Sequence, residues 1–224
     1  MRIRHLAVQA AAAFLLFASM EAPAATINWG SPVLSTTVDS TGAALTSDYS
    51  IRLGVFANGF VPTETNVHLW SANWRTFSVA SFDPNLGYFT ATANLIAGGG
   101  SSDPVAYPGF DFSGLNAYIW ITEDAAMTVG SESFLGRSES WVLPGAPPPD
   151  DCGCDGGLPY QWSTSDLAVS DVPVYGSQGP VVGGGDVENP GTYTIQTHVV
   201  PETSTFFLAT CGLLFALRRR RMKS

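Results

Sequence analysis

Tyr88-Phe89-Thr90-Ala91-Thr92-Ala93-Asn94-Leu95 is the stretch on which the fold turns. Phe89, Ala91, Ala93 and Leu95 alternate with Tyr88, Thr90, Thr92 and Asn94, the period of a strand with one buried and one solvated face. Working outward, Tyr49, Ile51, Leu53 and Val55 alternate with Ser50, Arg52 and Gly54 in the same way. Asn116–Thr122 (NAYIWIT) is apolar on both sides, which predicts a central strand. Ser140–Leu143 and Thr192–Val200 add two more candidates, the second with Tyr193, Ile195, Thr197 and Val199 set against Thr192, Thr194, Gln196 and His198. Short strands divided by Gly, Pro, Asn and Asp predict a mainly β chain, an antiparallel β-sandwich or open barrel.

One segment has a different period. Val67, Trp70, Trp74 and Phe77 recur at steps of three, four and three, a helical stripe with Thr63, Thr65 or Asn66 available as N-cap. The spacing favours burial of Trp70 and Trp74 over a sugar-stacking platform made of the same two rings. Residues 143–190 differ again, with nine glycines, eight prolines, seven acids and no base. That density of aperiodic Pro and Gly predicts an irregular excursion. Leu158, Tyr160, Trp162, Leu167, Val169 and Val174, spread through it, predict that it packs in part.

The 224 residues suffice for one domain with a real core. Their charge is unevenly placed. Ten basic residues face nineteen acids, yet only Arg52, Arg75 and Arg137 lie between residues 25 and 200, against seventeen acids, a net of -14 for that body. Such a body repels phosphate backbones, which excludes nucleic acid as a partner. Six Trp, seven Tyr and thirteen Phe supply the burial that a disordered chain lacks.

Candidate chemistry is sparse. Asp150, Asp151 and Asp155, followed by Gly156 and Gly157, could form a weak calcium turn. An EF-hand is excluded, because Gly153 and Trp162 stand at loop positions three and twelve. Cys152 and Cys154 form a candidate local disulfide if the chain is exported, since export leads to an oxidising compartment. A closed zinc site lacks its four ligands, His68 and His198 being remote in sequence. No G-x-S-x-G elbow, H-E-x-x-H, Walker A loop or G-x-G-x-x-G occurs, and the body has no lysine for Schiff-base chemistry. The expectation is a non-enzyme with no catalytic residues and no resident cofactor. The alternatives are a carbohydrate-binding module using Trp120, Trp141 or Trp162 as exposed aromatics, and a glycoside hydrolase using two of the carboxylates.

The two ends carry addresses. Arg2 and Arg4 precede an apolar run from Leu6 to Ala18 and a small-x-small site at Ala22-Pro23-Ala24. That pattern predicts a signal peptide over residues 1–25, cleaved after Ala24 or Ala25, and hence the Sec export machinery as partner. Residues 26–200 are then the exported domain and 201–224 a sorting tail. In that tail an apolar run, Ser204–Leu217, ends in Arg218, Arg219, Arg220, Arg221 and Lys223, which predicts a membrane helix with its end in the cytoplasm.

This tail resembles the PEP-CTERM sorting signal of diderm bacteria, which joins a short Pro-Glu-Pro motif to an apolar helix and an arginine-rich end. Val200-Pro201-Glu202-Thr203-Ser204-Thr205 stands where that family shows V-P-E-P-S-T, with Thr203 in place of the second proline. The resemblance implies export, transient retention in the inner membrane, and removal of the tail by an exosortase. It also implies a cell-surface or exopolysaccharide-matrix destination. The body, in Asn28–Pro32, Ile51–Thr63, Trp70–Trp74 and Gly191–His198, is similar to a group of exported PEP-CTERM proteins from verrucomicrobial bacteria. That likeness adds no site residues. The function expected is that of an exported structural protein of the surface or matrix, with matrix polysaccharide as a candidate partner.

Overall fold

The computed structural model describes residues 25–33, 35–57, 59–145, 159–167, 173–179 and 195–202. Ala22 and Ala24 of the cleavage site, the Asp150, Asp151 and Asp155 turn and the Cys152–Cys154 pair lie outside the described residues. So does the tail from Thr203 and Ser204 through Arg218, Arg219, Arg220, Arg221 and Lys223. Among the described residues, no helix is long and apolar enough to cross a membrane.

The chain is mainly β. Its strands are β1 (Ala25–Gly30), β2 (Thr37–Val38), β3 (Ser50–Phe56), β4 (Trp74–Asp83), β5 (Tyr88–Leu95) and β6 (Tyr118–Thr122). They continue with β7 (Glu132–Gly136), β8 (Tyr160–Ser163), β9 (Ser177–Gln178), β10 (Ile195–Gln196) and β11 (His198–Val199). Eight of them form one curled sheet in the order β11-β7-β6-β3-β4-β5-β1-β8, and β2-β10-β9 form a small second sheet. Pairing is antiparallel except for β1 with β8 and β10 with β2, which are parallel. The expectation of a wholly antiparallel sheet is corrected there: β8 and β10 come from distant stretches of chain and dock beside strands laid down first.

β5 forms over its whole predicted length, with Phe89, Ala93 and Leu95 buried and Thr90 and Thr92 exposed. β4 bends the sheet. Its first part pairs with β3, from Phe56↔Trp74 to Ile51↔Ala80, and its last three residues pair with β5. A strand that changes partners midway turns a corner. The corner contains a bulge: Gly54 faces Thr76 and Leu53 faces Ser78, so Phe77 is the extra residue and its fully buried ring enters the main core.

That core draws on both arms of the sheet, with Ile27, Trp29, Phe89, Ala93 and Leu95 from one and Ile51, Leu53, Ile119, Ile121 and Phe134 from the other. A second core of Phe56, Val67, Trp70, Trp74, Trp120, Leu135, Tyr175 and Val200 covers the opposite face of the β3–β6–β7 arm. β6 is therefore central, as its two-sided apolar sequence predicts. Ile119 and Ile121 enter one core and Trp120 the other.

The helix is shorter than the stripe predicts. A 3-10 helix at Glu64–Leu69 runs into α1 (Trp70–Asn73), and Trp74 leaves in extended conformation to start β4. Arg75–Val79 carries Thr, Phe and Val, residues that favour strand over helix, and β3 offers a partner for them. Thr63 is the N-cap, and the Asn66 side chain accepts its backbone N–H at 2.8 Å. Ser140–Leu143 makes one bridge, Asn116↔Val142, and no strand. Of the predicted strand Thr192–Val200, residues 192–194 lie outside the described residues; in the rest the alternation is lost, with Ile195, Gln196 and Thr197 all buried, because the chain passes there from the small sheet to the large one. Within the Gly/Pro-rich excursion, Trp162, Leu167 and Tyr175 are packed against the body.

Candidate functional site

β1 sits between antiparallel β5 and parallel β8, and the register sets its outer face. Ile27 and Trp29 point into the core, at 0% and 3% exposure, so Asn28 and Gly30 point out. Residues directly opposite share a face. Thr92, Asn28 and Gln161 therefore form one row across the three strands, and Thr90, Gly30 and Ser163 the next. Gly30 has no side chain to fill the middle of its row. The result is a groove of about 190 Å³ lined by Asn28, Trp29, Gly30, Ser31, Thr90, Gln161, Trp162 and Ser163.

The floor cannot shift freely. A Cβ built on Gly30 would lie 2.4 Å from the Phe89 carbonyl oxygen, so β5 crosses too close for any other residue. Thr92 Oγ1 donates to Asn28 Oδ1 at 2.7 Å and orients that carboxamide. Ser31 Oγ accepts the Phe89 N–H at 3.2 Å, and Asp166 accepts the Ser163 N–H at 2.8 Å, which fixes the end of β8. Beneath the groove, Trp162 stacks on Trp141 at 5.9 Å with 16° between planes, and Trp29 meets Phe89 edge-on at 6.1 Å. Among the described residues, the buried Trp29 indole nitrogen has no hydrogen-bond partner.

The three tryptophans expected as exposed glycan contacts are interior. Trp120 is 0%, Trp141 2% and Trp162 7% exposed. Trp120 lies on the doubly covered β6 and donates to Ser133 Oγ at 2.8 Å; Trp141 donates to Asp166 Oδ2 at 3.0 Å. Their rings form the core, and only Trp162 also borders the groove. Trp70 and Trp74 are buried as their spacing predicts.

A second polar cluster forms around Glu132 at the start of β7. Its carboxylate accepts the Ser40 N–H at 2.8 Å, the Ser40 and Thr197 hydroxyls, and Tyr49 Oη at 3.2 Å. Burial, with the neighbouring Glu132 charge, pushes the Tyr49 phenol above its ordinary range. The arrangement ties four separate stretches of chain together. Among the described residues, no group of three His, Cys, Asp or Glu side chains is placed to hold a metal ion.

At the termini, Ala25 opens β1 opposite Leu95. Val200 is 3% exposed in the second core, donates its N–H to Ser131 at 2.7 Å and accepts from Gly130 at 3.0 Å. Pro201 and Glu202, next in the chain, are exposed. Comparison of the chain with known protein families, curated proteins and solved structures finds no match.

The polar face of β5 was legible from its alternation. The groove was not, because its other walls depend on a parallel pairing of Asn28 with Gln161, which no local period reports. Glu132 likewise gathers partners from residues 40, 49 and 197, and nothing in the sequence around it marks that convergence.

Proposed function

We propose that this chain is an exported structural protein of the cell surface or exopolysaccharide matrix, sorted by its PEP-CTERM-like tail. The observation that carries the reading is how the described body meets the two addressed ends. Among the described residues the first strand opens at Ala25, where cleavage after Ala24 would leave the new N-terminus, and Val200 is packed in the second core, with Pro201 and Glu202 after it exposed. Sec machinery and an exosortase are the partners this route requires, with the inner membrane as a transient station.

The curled sheet is best read as an open barrel, because among the described residues its outer strands β11 and β8 are not hydrogen-bonded to each other while one core fills the space between its arms. A non-enzymatic body fits the use of Glu132, whose carboxylate is engaged by four donors of the fold. The route is tested with a reporter carrying residues 200–224. Release should fall when the four arginines or the Pro201–Glu202 pair are replaced, and identical release from all versions would end the sorting proposal. Intact mass of the surface-isolated protein reads both cleavages at once.

A further inference from the structure

We infer that the groove over Gly30 binds one ring of an uncharged polysaccharide. The lining contains no charged side chain, although the body as a whole is strongly acidic. An anionic ligand finds no cation here to offset its desolvation, and a metal ion finds no carboxylate. A purely apolar ligand would strip water from two carboxamides and three hydroxyls without replacing their hydrogen bonds. What remains is a neutral ligand rich in groups that both donate and accept. Vicinal sugar hydroxyls are such groups, and Asn, Gln, Ser and Thr are the side chains that answer them in both directions.

The wall has bonding capacity to spare. Among the described residues, Gln161 and Thr90 make no side-chain hydrogen bond, and Asn28 uses its Oδ1 while its amino group stays free. Preorganisation is high, since the row positions are fixed by two ladders and by the Thr92–Asn28 bond. Tyr88, two residues along β5 from Thr90, is half-buried and on the same face of the strand, so the apolar face of a pyranose extending from the groove along β5 would meet an aromatic residue. At about 190 Å³ the groove is smaller than the roughly 300–1,000 Å³ typical of small-molecule pockets. It therefore takes one ring of a chain whose remainder lies outside.

This inference rests on the surface-or-matrix reading only for where such a glycan would be met; its chemistry stands on the groove. The test is isothermal titration of the full-length chain in detergent with cello-, xylo-, manno- and galacto-tetraose, and with tetragalacturonate as the charged control. At least one neutral tetraose should bind with Kd in the millimolar range or tighter. Gln161→Ala and Thr90→Ala should each weaken it about three- to tenfold, and Thr90→Arg, which fills the groove from an exposed position, should abolish it. An unchanged near-UV spectrum of each variant shows that the fold persists. No heat with any neutral tetraose, undiminished affinity in Thr90→Arg, or binding confined to tetragalacturonate would overturn the inference. Neutral-tetraose binding by a chain that is never exported would support the groove and sink the export reading, so the two failures are distinguishable.

Discussion

Single side chains hold this fold at points that ladders do not reach, and Glu132 is the strongest of them. Hydrogen bonds to a charged group contribute about 1.5–3 kcal/mol each when well formed, and part-exposed ones fall at the low end. Glu132→Ala leaves the Ser40 N–H and three hydroxyls without their acceptor. A loss of about 2–4 kcal/mol is expected in urea unfolding, with faster amide exchange at residues 195–199. Thr197→Val should cost about 1 kcal/mol, and in the double variant the two losses should not add. Strict additivity would mean that the two side chains do not share an interaction. Aspartates act differently, as turn caps. Burial pushes Asp39 up, but the Thr41 hydroxyl and the N–H groups of Ala43, Thr41 and Gly42 outweigh it and hold its carboxyl below the ordinary value. The Ser113 N–H and hydroxyl do the same for Asp111, and the Thr128 hydroxyl and Ala126 N–H for Asp124. A lowered folded pKa gives stability that is present above the unfolded pKa and is lost as pH falls through the folded one. Stability should therefore hold steady above about pH 5 and decline below pH 4, and Asp39→Asn combined with Asp124→Asn should flatten that decline. An acid limb of unchanged slope would show that other carboxylates set it.

Elements are joined here by a few residues that serve two neighbours. Asn66 accepts the Thr63 N–H at 2.8 Å and the Trp70 indole N–H at 2.9 Å, and donates to the Val61 carbonyl at 2.9 Å. Trp70 is fully buried, so Asn66→Ala strands its indole N–H. The expected cost is about 1–3 kcal/mol by chemical denaturation, whereas Thr65→Ala, at an exposed neighbouring position, should change stability by under about 0.5 kcal/mol. Equal effects from the two would deny Asn66 this role. At the sheet corner, a Cβ on Gly54 would lie 2.4 Å from the Arg75 carbonyl and 2.6 Å from the Trp74 ring, so Gly54→Ala must push β4 away from β3. The same corner explains what the sequence could and could not tell. Alternation reported β3 and β5, and a two-sided apolar run reported β6, because Ile51, Leu53 and Val55 in β3 and Phe89, Ala93 and Leu95 in β5 all face the main core. The Val67–Phe77 stripe misled from Trp74 onward: the bulge sends Phe77 to the main core while Trp74 stays with the second, so the helical spacing was coincident with a strand that changes direction. β1 and β8 escaped notice because their mutual pairing is parallel and joins distant stretches of the chain, which no local period reports.

For the whole molecule, charge is the property most unlike an average domain. The body's three arginines are occupied within the fold by neutral groups: Arg52 Nε donates to Ser50 Oγ at 2.8 Å, and Arg75 lies 4.4 Å from the Tyr107 ring centre and donates to the Ala72 and Trp74 carbonyls. Arg137 lies over Tyr118 at 5.7 Å. Arg52, half-buried, is pulled below its ordinary range by desolvation alone. A body at -14 consequently carries its acids as mutual repulsion, which keeps it soluble and costs stability. Salt screens exposed charges over a Debye length that shrinks from about 30 Å at 0.01 M to about 3 Å at 1 M. Raising NaCl from 10 mM to 500 mM should therefore lift Tm by about 2–8 °C, the shift that about 1–2 kcal/mol gives a domain of this size. The groove over Gly30 holds no charge, so its affinity for a neutral tetraose should stay within about twofold across the same range. The two responses separate the two surfaces: an affinity that falls steeply with salt would place the sugar among the acids, and a flat or falling Tm would mean that the repulsion is already neutralised.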